Sequence, residues 1–104
     1  MAKLLDHEAP FVEAAKEQLK AERPHISNPV FIAFVVWLPD SDEFLNTYHK
    51  NSDATAYQWA KGVPGMARRF SRLKKAQSIV DEKEQAVVAV LLETAKQYAV
   101  VPIE

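Results

Sequence analysis

The sequence predicts an all-α fold, a compact bundle of five or six short helices, and three observations predict it. Apolar residues recur at helical spacing toward both ends of the chain. The six prolines fall where helices would begin or end. Two acid-rich clusters with capping-box spacing, Asp40 to Glu43 and Asp81 to Glu84, stand before apolar stretches. One segment is ambiguous. Residues 30–38, Val-Phe-Ile-Ala-Phe-Val-Val-Trp-Leu, are apolar on every side, so periodicity does not separate a buried helix from a buried strand. Its β-branched and aromatic content favours a strand. The Asn28-Pro29 start and the lack of a convincing second strand favour a helix, the reading adopted. A strand at 30–38 would need the tail 99–101, or a second copy of the chain, as its partner.

The first helix is expected over 6–22, with Asp6 as cap and Pro10 in the first turn. Phe11, Ala15 and Leu19 form its apolar stripe, Val12 widens it, and Pro24 stops it. The 30–38 segment follows. Asp40 opens a third helix, on which Phe44 and Tyr48 share one side. Asn51-Ser52-Asp53 breaks it and caps a fourth helix carrying Tyr57 and Trp59. Gly62 suits the left-handed residue that closes that helix. Pro64 starts a fifth, and a last helix runs from about Asp81 to Ala99 with Val87, Leu91 and Ala95 in one stripe. Residues 1–104 are expected to form one helical domain.

The chain has no cysteine, so no disulfide contributes, which fits a reducing compartment. The start, Met1 to Leu5 with acids directly behind, lacks the apolar core of a secretory signal. The longest apolar run is far shorter than the roughly 20 residues of a membrane span. The expected location is the cytoplasm, with no membrane partner.

Catalytic, cofactor and metal chemistry find no support in the residue pattern. His7, His25 and His49 lie in three separate segments and match no metal-ligand spacing. Gly62-Val63-Pro64-Gly65 has too few glycines for a phosphate loop, and its proline lacks an N–H. No serine sits in a nucleophile elbow. The expectation is no enzyme, no cofactor and no metal.

Charge is the strongest functional hint. The net charge is −1, but residues 61–75 hold six Lys/Arg and no acid, whereas residues 1–60 hold five against nine acids. Turned at about 100° per residue, Met66, Phe70, Leu73 and Gln77 share one helical side, and Arg68, Arg72 and Lys75 the opposite one, flanked by Arg69. A helix–Gly–helix pattern over 52–77 suggests a DNA-binding motif, but its inward slots hold Arg68 and Ser71, where apolar residues are required. The aromatic residues are also concentrated. Trp37, Phe44, Tyr48, Tyr57 and Trp59 lie close together, more than a small core hides.

These features favour recognition over catalysis. The expected function is a small protein-binding regulator that acts sterically on a protein partner, such as an inhibitor or anti-activator of a bacterial transcription factor. Phe44, Tyr48, Trp59 and the 30–38 segment would anchor the partner, with Arg68, Arg69 and Arg72 steering it. Self-association as a homodimer would cover surplus apolar surface. Nucleic-acid binding through a basic helix over 64–77 is the alternative. A structural subunit of a larger assembly is a second.

Overall fold

The computed structural model describes residues 4–25, 28–50, 55–61, 64–83, 85–95 and 97–103, with the side chains of 47–50, 55–57 and 61 outside that description. It overturns the all-α expectation. The chain is an α/β fold: among the described residues two helices, α1 (Ala9–Glu22) and α2 (Leu73–Glu82), accompany five strands, β1 (Val30–Leu38), β2 (Glu43–Lys50), β3 (Thr55–Lys61), β4 (Val87–Glu93) and β5 (Tyr98–Pro102). The strands form one antiparallel sheet in the order β3-β2-β1-β4-β5.

The 30–38 segment is the central strand, and its position explains its composition. β1 lies between β2 and β4, and side chains on both of its faces are buried. A strand covered on both faces needs apolar residues at every position, which erases the period-two signal. Its main partner is β4, in register from Val30↔Glu93 to Trp37↔Val87, with an irregularity between Phe31 and Ala33. The tail pairs with β4 instead, through Val90↔Val101 and Leu91↔Val100. β4 also corrects the expected last helix. Val87, Leu91, Val88 and Leu92 are four apart because almost every residue of β4 is apolar.

The expected third and fourth helices are the β2–β3 ribbon, paired from Glu43↔Lys61 to Lys50↔Thr55. The supposed capping box at Asp40–Glu43 is the β1–β2 turn. Asp42 takes a left-handed backbone there (φ 54°), and its Oδ1 accepts a hydrogen bond from Trp37 Nε1 at 3.2 Å. Asn28 before Pro29 is also left-handed (φ 34°), so it turns the chain into β1 and caps no helix. The breaker at 51–53 and the closing role of Gly62 lie outside the described residues. The fifth helix is reduced to a 3-10 turn at Pro64–Met66, and α2 starts only at Leu73. The first helix is present but begins at Ala9, with Glu8 and not Asp6 at its N-cap; Val12, Ala15 and Leu19 are buried, and Phe11 of the expected stripe is 40% exposed.

Two apolar clusters sit on opposite sides of the sheet. The larger joins Val12, Ala15 and Leu19 of α1 and Ala76 and Ile79 of α2 to the sheet residues Phe34, Val36, Val88, Val90 and Val101. The smaller joins Val35, Ala89 and Leu91 to Phe44 and Ala67, with Ile32, Trp37, Tyr98 and Val100 half-buried at its margin. Neither helix contributes to this second cluster.

No helix among the described residues is long and apolar enough to cross a membrane.

Candidate interaction surfaces

The basic segment is organised by a split in the sheet. Among the described residues, β1 and β2 pair only at Trp37↔Phe44 and Leu38↔Glu43. Beyond that point the inner edge of β1 needs another partner, because a buried backbone group without one is costly. Phe70 supplies it: Phe70 N–H donates to Phe34 O at 2.9 Å, and Phe34 N–H donates to Phe70 O at 2.8 Å. On the β2 side, Arg68 N–H donates to Leu45 O at 2.6 Å, and Asn46 Nδ2 donates to Met66 O at 2.6 Å. The segment Pro64–Phe70 is therefore a wedge held between two strands. Ala67 joins the helix-free cluster and Phe70 the helix-side cluster, so the segment places side chains on both faces of the sheet.

This arrangement disperses the expected cationic helix face. Arg68 and Arg69 precede α2 and are exposed beside the wedge, whereas Lys74 and Lys75 lie in the first turn of α2. The Arg68 guanidinium carbon lies 5.6 Å from the centre of the Phe70 ring. Arg69 lies 5.7 Å from the centre of the Tyr98 ring, and its Nη2 donates to Tyr98 Oη at 3.2 Å. Stacking on an aromatic ring restricts an arginine that is otherwise free in solvent.

Arg72 belongs to a different site. Its Nη1 lies 3.2 Å from Glu8 Oε1, and the Glu8 side chain is buried. Glu8 Oε1 also accepts the Leu5 N–H at 2.8 Å, and Oε2 accepts the Leu73 N–H at 2.8 Å. One carboxylate thus ties the N-terminal segment to the start of α2. Burial pushes the Glu8 carboxyl upward. The two amide donors, Arg72 and His7 outweigh that push and hold it below the usual 4.5.

The apolar anchors expected from sequence are divided as well. Phe44 is buried, its ring stacked on Trp37 at 5.9 Å between centroids. Trp59 is half-buried against the helix-side cluster. The backbone of Tyr48 pairs with that of Tyr57, and its side chain lies outside the described residues. Trp37, Tyr98 and Met66 bear on the surface more directly, Met66 at 54% exposed. Burial alternates along β5, with Ala99 and Val101 buried and Tyr98, Val100 and Pro102 half-buried, but the sequence Tyr-Ala-Val-Val-Pro carries no matching alternation of polarity. Nothing in the sequence marks Glu8 as a buried hub. Among the described residues no group of His, Cys, Asp or Glu is placed to hold a metal ion.

Neither a family model nor a curated protein nor a solved structure matches this chain.

Proposed function

We propose that the protein is a small cytoplasmic protein-binding regulator, acting sterically by covering part of a protein partner. One observation carries this reading: Pro64–Phe70 is fixed as a wedge in the sheet while its side chains Met66, Arg68 and Arg69 remain exposed. A segment already held by backbone hydrogen bonds loses little entropy on binding, so its contacts convert more fully into affinity. An exposed methionine beside two ring-stacked arginines has the composition of an interface centre. Trp37 and Tyr98 extend the patch across the helix-free side. The contiguous basic helix face on which the nucleic-acid alternative rested is not formed, because α2 begins after Arg68 and Arg69.

The test places a photo-crosslinking residue at Met66 in cells. The expected result is one predominant protein adduct, abolished by the double substitution R68A/R69A with folding unchanged. Adducts to RNA alone, or a protein adduct indifferent to both arginines, would overturn the proposal.

A further inference from the structure

On the helix-bearing side, a cleft of about 390 Å³ opens between the N-terminal segment and α2. Leu5 and His7 line one wall, Lys74, Lys75 and Ser78 the other, and the Glu8–Arg72 pair closes the back. The wall is predominantly apolar, and Leu5 is 43% exposed. Long basic side chains contribute methylene stems to such a wall while their charged ends stay in water.

The charge around the cleft is one-sided. Among the described residues Glu8 is the one acid that lines it, and that carboxylate is buried and engaged by Arg72 and two backbone amides. Lys74 and Lys75 are exposed and make no ion pair among the described residues. Within a chain of net charge −1, this leaves a local cationic rim around an apolar wall. The helix end itself is not the site, since Glu8 already occupies the Leu73 amide.

We infer that this cleft binds an acidic peptide segment of another protein, with carboxylates on Lys74 and Lys75 and an apolar side chain against Leu5. The rim supplies charge complementarity, which sets specificity and on-rate. An inorganic anion would leave the apolar wall uncovered, whereas a peptide with an apolar side chain uses both features. Among the described residues the cleft's one lining ring is His7, fewer than the aromatic platforms on which single-stranded binders stack successive bases. This site is separate from the Pro64–Phe70 surface and does not depend on the reading given to that surface.

The experiment follows fluorescence anisotropy of a labelled peptide of alternating Glu and Leu against the full chain. The expected result is saturable binding that weakens with salt, falls on the order of tenfold or more in K74E/K75E, and falls also in L5S. R68A/R69A binds the peptide as the parent does, which separates this site from the other surface. The lysine substitutions place acids in the first turn of α2, where the helix dipole favours them, so folding is retained. L5S gives an independent reading. Equal binding of an alternating Glu and Ser peptide would overturn the inference. So would binding indifferent to K74E/K75E, or displacement of the peptide by an oligoribonucleotide acting through the same lysines.

Discussion

Glu8 gathers three hydrogen-bond and ionic partners on one buried carboxylate. Its carboxylate accepts from the Leu5 and Leu73 amides and pairs with Arg72, sixty-four positions away. The folded value lies below the ordinary 4.5, so the unfolded chain binds the proton more readily. The stability it contributes is therefore complete above about the unfolded value and is lost as pH falls through the lower, folded one. Glu8→Gln puts an amide donor among three donors and is expected to cost about 3 kcal/mol at neutral pH. Urea unfolding across the acid range checks both statements. The gap between parent and variant should close as pH drops below 4.5, and a gap that stays constant would remove the charge from the explanation. None of this was legible beforehand. Glu8 lies in an ordinary acidic stretch before a proline, and only tertiary contacts with α2 distinguish it from Asp6.

At the scale of elements, α1 was legible and the strands were not, and β1 and β4 share one reason. Helix α1 is half-exposed, so its buried stripe Val12, Ala15 and Leu19 stands out against Glu13, Lys16 and Glu17. β1 and β4 are covered on both sides, and a run apolar throughout satisfies a period of 3.6 as well as a period of two. The basic segment misled differently: Met66, Phe70 and Leu73 do have helical spacing, but the split between β1 and β2 competes for Phe70 and wins. Phe11 and Phe70, both placed on apolar helical stripes by sequence, therefore separate sharply. Phe70 is 5% exposed within the helix-side cluster, whereas Phe11 is 40% exposed. Phe70→Ala is expected to destabilise the chain by about 3–5 kcal/mol, and Phe11→Ala by less than about 1.5 kcal/mol. Thermal or urea denaturation of the two variants measures the contrast. A loss at Phe70 as small as that at Phe11 would mean that residues 64–70 are a surface loop and not a part of the sheet.

At the scale of the whole molecule, β5 ends the sheet on one side, and among the described residues strand pairing stops at its outer edge. Ile103 N–H donates to Val88 O at 2.8 Å, and Thr94 N–H donates to Gln97 O at 2.9 Å. Antiparallel ladders alternate, so Ala99 and Val101 turn their backbone groups toward β4, and Tyr98, Val100 and Pro102 turn theirs outward. No described strand pairs with that side of β5. Such an edge is a template for another chain, and proline is one of the residues that blunt it. Pro102 stands at the third outward position, where its missing N–H interrupts the row after Tyr98 and Val100. The homodimer expected from sequence on grounds of surplus apolar surface would, if it used this edge, have to form past that interruption. Pro102→Val restores the N–H and the β-propensity together. The variant is expected to self-associate at concentrations where the parent does not, seen as a concentration-dependent rise in mass by light scattering. Tyr98 and Val100 would then lose amide exchange as the mass rises, because their outward N–H groups become paired. Association without that protection would place the contact on another surface, and unchanged mass would show that Pro102 is not what keeps this edge apart.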